Sequence, residues 1–212
     1  GVQTCALPIC VNQRFADPAL TLPQILSALT VIAGAYAVTG PEIGDEEVAR
    51  ALVMGLTGAR FVGVPPGVAP EVRHYYQQLT RMSAAFAFTA DLAMGTLGGS
   101  LKRKEKLSAR LGDVLAQMYL ASCALKRFED EGRPAADLPL LHWALQDCLH
   151  KAGEAFEGVI ANFPNRLFAA FLRRVVVFPL GKPWAPPSDQ LGQEVARLLI
   201  EPSATRDRLS AD

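Results

Sequence analysis

Two of the three histidines in this 212-residue chain follow an acid at the same interval, in Glu71-x-x-His74 and Asp147-x-x-His150. On a helix, an i, i+3 spacing puts carboxylate and imidazole on one face, a turn apart. Paired Glu-x-x-His motifs with two further glutamates are one way a helix bundle holds a di-iron centre. The details argue against that chemistry. Glu71 follows Pro70, so it falls in a first helical turn, where an acid simply complements the positive end of the helix dipole. Asp147 is a shorter ligand than glutamate, and the extra glutamates cannot be assigned. The expectation is a chain without a metal site.

The remaining reactive residue types also have plainer readings. Gly98-Gly99 is the nearest thing to a phosphate cradle, but a turn between two helices explains it better. The run Lys102-Arg103-Lys104-Glu105-Lys106 could attract phosphate groups of a cofactor, nucleic acid or lipid. A charge run that opens an amphipathic helix is, however, ordinarily a solvated face. Cys123 and Cys148 stand among apolar neighbours and are expected to behave as small buried hydrophobes. Trp143 and Trp184 read as packing anchors. The sequence holds no glycine-rich phosphate loop, no Cys-x-x-Cys pair and no nucleophile elbow. No Ser/His/Asp or Cys/His set can be placed by spacing.

The elements that carry these residues read as helices. Leu107, Leu111, Val114, Met118, Ala121, Leu125 and Phe128 recur at alternating intervals of three and four, an apolar seam on one face of a helix over 101–131. Lys102, Lys106 and Arg110 would then lie on successive turns of another face. Gly132 and Pro134 supply its stop. A second helix starts near Asp137, read as its N-cap with Pro139 in the first turn, and carries Leu138, Leu141, Leu145, Leu149, Ala152, Phe156, Ile160 and Phe163. A third spans 70–97. Shorter helices are expected over 42–60, 165–178 and 189–200, the second of them taking in Val175-Val176-Val177-Phe178 despite its strand character. The proline-rich stretch 179–187 is expected to be a wrapped loop, because proline removes backbone donors. Strands and helices do not alternate, which excludes a doubly wound sheet. The fold expected is all-α, an antiparallel helix bundle whose 101–131 and 137–163 helices pack as a hairpin.

Composition agrees with a folded domain. Half the residues are hydrophobic and a fifth are charged, so the chain is not intrinsically disordered. Twenty-one Lys+Arg balance twenty-one Asp+Glu, which disfavours a nucleic-acid partner. Residues 18–41 carry no charge, but Pro18, Pro23 and Pro41 interrupt them and the continuous apolar part, 25–38, is short of the roughly 20 residues a bilayer span needs. It reads as a buried or partner-covered helix. The first nine residues, GVQTCALPI, resemble the in-frame translation of a common sequencing adapter. Residues 1–10 are therefore read as a sequence artefact, and an opening Gly in place of Met fits a reading frame cut at its start.

A resemblance carries the reading further. LGGSLKRKEK at 97–106, SARLGD at 108–113, LKRFEDEGR at 125–133, DLPL at 137–140, NFPNR at 162–166, APPSD at 185–189 and ATR at 204–206 occur in this order. Together they resemble the C-terminal region of the large bacterial acyl-CoA dehydrogenases of fatty-acid β-oxidation, over about residues 59–208. That resemblance divides the chain into 1–10, an unassigned apolar helical segment at 11–58, and a C-terminal dehydrogenase domain at 59–212. It implies a parent flavoenzyme that oxidises fatty acyl-CoA to trans-2-enoyl-CoA with FAD, passes electrons to an acceptor, forms a homo-oligomer, and resides in the cytoplasm or at the inner membrane. In the family the catalytic glutamate and the flavin pocket lie in a core upstream of this region. No segment here matches that glutamate's motif, so Glu71, Glu154 and Glu157 are not assigned to it. No catalytic or cofactor-binding residue is carried over. The chain is expected to be an accessory fragment, inactive alone, with its own upstream core as partner. The competing expectation is a free-standing helical interaction module without enzymatic activity.

Overall fold

A computed structural model describes residues 45–178 and 181–210. The adapter-like start and the uncharged stretch at 18–41 lie outside the described residues. Those described are all-α, with no strand among them. They form two compact units, one running up to Arg103 and resuming at Arg166, the other comprising Lys104–Asn165 and the chain from Gly181 onward.

The first unit is built on α1 (Asp45–Thr57) and α2 (Pro70–Leu97). Pro70 opens α2 because its ring presets helical φ and its missing N–H would have no partner there anyway. Val72, Tyr75, Leu79, Met82, Ala85, Phe88 and Leu92 give it a buried stripe at helical spacing. At Gly98 the backbone turns to φ 48°, and its amide bonds back to the Met94 carbonyl. The chain then tightens into 3-10 turns over Gly98–Arg103. After Asn165 it returns to this unit as α3 (Arg166–Phe171), which widens into a π-helical stretch at Leu172–Val177. The expected helix over 165–178 is therefore helical from Arg166 to Val177, and α only as far as Phe171. The carbonyl of Val177 receives an Arg81 guanidinium N–H at 3.1 Å, and Phe88 meets Phe171 with ring centroids 5.8 Å apart.

The second unit is a helical hairpin with a wrapped strap. Helix α4 (Glu105–Asp130) buries all seven residues of the expected seam, and α5 (Leu138–Ala161) faces it with Leu141, Leu145, Leu149, Ala152, Phe156, Val159 and Ile160. Each of the larger side chains, fully buried, stabilises by about 1.5–3 kcal/mol relative to exposure. Arg110, near the start of α4, lies against Gly158, near the end of α5, so the two run antiparallel. The reversal is a Schellman turn: the Arg133 amide bonds the Phe128 carbonyl at 2.9 Å and the Gly132 amide bonds the Glu129 carbonyl at 3.1 Å. That geometry needs positive φ, which Gly132 adopts without strain at 80°.

Four local expectations are corrected. The α4 helix begins at Glu105, not 101, because Ser100 donates its hydroxyl to the Leu97 carbonyl and the two glycines favour tight turns over the α ladder. Lys102 consequently lies in the 3-10 turns, off the face it was expected to share with Lys106 and Arg110. Asp137 has helical backbone angles, so its carboxylate does not curl back onto the α5 amides, and it is no side-chain cap. Phe163 lies past the end of α5 yet remains buried. Cys123 is exposed. It sits two residues from both Ala121 and Leu125, and at 100° per residue that places it on the far side of the helix.

Past Gly181 the strap 181–188 has no regular structure, as its prolines dictate. Ser188 then caps α6 (Asp189–Ile200) by accepting the Leu191 amide at 3.2 Å. A final helix absent from the sequence reading, α7 (Ala204–Ser210), closes the described chain.

Candidate functional site

The two acid–histidine pairs fall in different units and are engaged differently. His74 stands beside the Tyr75 ring with its side chain exposed, and partial desolvation draws its imidazole below the usual histidine value. Asp147 accepts from Lys151 at 2.6 Å, and that bond draws the lysine pKa up from its usual value. His150 turns its Nδ1 to the Trp184 carbonyl at 3.1 Å, and since a carbonyl only accepts, Nδ1 is the donor of this bond. Its Nε2 lies 3.8 Å from Glu154. Among the described residues, no three of His, Cys, Asp and Glu gather as a metal ligand set.

What the geometry does assemble is a clamp on α5. Trp184, 8% exposed, lays its indole over Gly153, where an added Cβ would stand 3.0 Å from the ring. Glycine lets the ring approach the helix this closely without having to shift. His150 holds the backbone of Trp184, and Lys182 pairs with Glu157 at 2.7 Å, so three successive turns of α5 grip the strap. Trp143 lies beside Gly192 of α6. The carboxylate of Asp137 accepts the buried Thr205 hydroxyl and a guanidinium N–H of Arg208, tying α7 to the hairpin turn. Glu157 and Trp184 thus serve as fasteners. The signal that could have pointed to the clamp is Gly153 itself, a helix-weakening residue set inside an apolar stripe.

The other candidates stay apart from any chemistry. Cys148 is half-buried, and desolvation, reinforced by Asp147, raises its thiol pKa, which makes it a poor nucleophile. Lys102, Arg103, Lys104, Glu105 and Lys106 are all exposed. No described helix is long and apolar enough to cross a membrane.

The fold and its fastened strap define a helical domain held together by packing and surface ties. Comparison with known families gives its place: the family described as acyl-CoA dehydrogenase, C-terminal, bacterial type, matches residues 45–212. The chain belongs to that family, and so to the acyl-CoA dehydrogenases, oxidoreductases that are generally FAD-dependent. No solved structure matches it. Neither of the two places that could meet a diphosphate, the Gly98 turn and the cations at 102–106, is built as a cradle for one. The Gly98 amide is turned into the helix end, and the cations at 102–106 are exposed and interrupted by Glu105. Exposed ion pairs contribute only about 0–1 kcal/mol, too little to hold a dinucleotide.

Proposed function

We propose that this chain is the C-terminal accessory domain of an FAD-dependent acyl-CoA dehydrogenase that oxidises fatty acyl-CoA to trans-2-enoyl-CoA in fatty-acid β-oxidation. The observation that carries the reading is the family match over 45–212. The domain's work is structural. It packs on an upstream catalytic core that supplies the flavin site and the glutamate base, and it takes no part in the bond-breaking steps. The parent is a homo-oligomer that takes acyl-CoA and hands electrons to an acceptor, in the cytoplasm or at the inner membrane.

Two experiments test this. Sequencing the gene upstream of the codon for residue 1 should reveal an in-frame dehydrogenase core. A separate start codon with no core would instead favour a free-standing helical module. The purified 212-residue chain, mixed with FAD and assayed on octanoyl- and palmitoyl-CoA with an artificial electron acceptor, should show free-flavin spectra and no turnover. A bound-flavin spectrum with turnover would place the active site in this chain and overturn the assignment.

A further inference from the structure

The run at 102–106 builds no ligand cradle, yet its lysines differ from the others in the chain, six in all. Lys126 donates to both carboxylate oxygens of Asp130 at 2.9 and 2.8 Å, Lys151 donates to Asp147 at 2.6 Å, and Lys182 pairs with Glu157 at 2.7 Å. Lys102, Lys104 and Lys106 are in no ion pair among the described residues, although Glu105 stands between two of them. Exposure does not separate the two sets. The paired side chains are 69%, 54% and 66% exposed, and the three lysines of the run are exposed as well. The difference lies in what holds the amine. An amine attacks through the lone pair of its neutral form, and a carboxylate that accepts its N–H bonds favours the ammonium. Asp147 has that effect on Lys151, whose pKa it draws up. A paired lysine must give up partner and proton together, whereas a free one gives up only the proton. The free lysines also share their run with Arg103, and an excess of one sign of charge steers the opposite sign toward it.

We propose that Lys102, Lys104 and Lys106 form a modification site, acylated on nitrogen by acyl-CoA without a second enzyme. The amine nitrogen bonds to the thioester carbonyl carbon and the carbon–sulfur bond breaks. The thiolate leaves and takes up the proton that the nitrogen sheds, giving an amide and free CoA, so no further reactant is needed. CoA suits this run because its diphosphate and 3′-phosphate are drawn by the cations that surround the nucleophiles. Exposed charges supply an encounter here and not a bound complex. Each acyl group removes one positive charge. With all three in place, Arg103 alone offsets Glu105 and the run turns neutral. The chemistry needs only the chain and the donor, and it rests on the dehydrogenase reading solely for the presence of an acyl-CoA at this surface.

Site-resolved mass spectrometry tests this. The full chain, incubated with acetyl-CoA at mildly alkaline pH and digested with chymotrypsin, should be acetylated at 102, 104 and 106 about threefold faster than at 126, 151 and 182. Exposed ion pairs are weak, so pairing accounts for about twofold of that margin and attraction of the phosphates for the remainder. S-acetyl-N-acetylcysteamine, the same thioester without phosphates, should therefore leave a margin of about twofold. Asp130→Asn keeps the shape of the side chain but removes the charge that holds Lys126, and should raise acetylation there about twofold with either donor. Equal rates at all six lysines, an unchanged margin with the phosphate-free donor, or a Lys126 indifferent to Asp130→Asn would each overturn the proposal. None of these results bears on the dehydrogenase reading, which the upstream gene decides.

Discussion

The contact of Trp184 with Gly153 makes a prediction in which a single substitution reverses its effect. In an exposed helix interior, Gly→Ala stabilises by about 0.5–1 kcal/mol, because alanine loses less backbone entropy on folding. At position 153 the new methyl would stand 3.0 Å from Cε3 of the indole, closer than van der Waals contact, and the ring is rigid. The strap behind it is held by His150 and Lys182, so it yields only partly. Overpacking of this kind costs about 1–3 kcal/mol, which outweighs the propensity gain. Gly153→Ala should therefore destabilise the chain by about 0–2 kcal/mol. Trp184→Ala removes the obstacle and itself costs about 3–5 kcal/mol, the range for a buried aromatic truncated to alanine. In that background Gly153→Ala should become stabilising. Both tryptophans lie in the second unit, and Trp143 remains as a reporter when Trp184 is gone. Urea titrations of the four proteins, followed by fluorescence and by far-UV circular dichroism, close a double-mutant cycle with an expected coupling of about 1–3 kcal/mol. Equal effects of Gly153→Ala in the two backgrounds would show that the indole does not rest on that glycine.

Along α4, Leu111→Ala should cost about 2–5 kcal/mol, whereas Leu115→Ala, at a site 48% exposed, should stay within about 0.5 kcal/mol by the same denaturation assay. Asp137→Ala should strip the acceptor from the buried Thr205 hydroxyl, costing about 1–3 kcal/mol; hydrogen exchange should localise the loss to residues 204–210. Partial desolvation lowers the pKa of the exposed His74 from 6.5, so the unfolded chain binds the proton slightly more readily than the folded one. The stability this contributes is whole above pH 6.5 and falls as pH drops below it. Urea midpoints measured between pH 7.5 and 5 should decline less in His74→Phe than in the native chain, and identical slopes would refute the assignment.

Periodicity alone determined the long helices and the hairpin, though not the short closing helix at 204–210. The seam from Leu107 to Phe128 is read correctly to the residue because a repeat of three and four admits one buried face, whatever packs on it. The stop at Gly132 is equally local, since a Schellman turn needs a residue at ease with positive φ. The family was legible too, through motifs that lie largely at such turns and helix ends. Decisions between distant residues were not legible. Asp137 has the side chain of an N-cap, yet Thr205 and Arg208 claim its carboxylate from nearly seventy residues away. His150 has the spacing of a metal ligand, but a carbonyl on the strap takes its Nδ1. Spacing along a chain records which side chains share a face. Which partner reaches that face first depends on where the chain returns, and only the folded structure decides it.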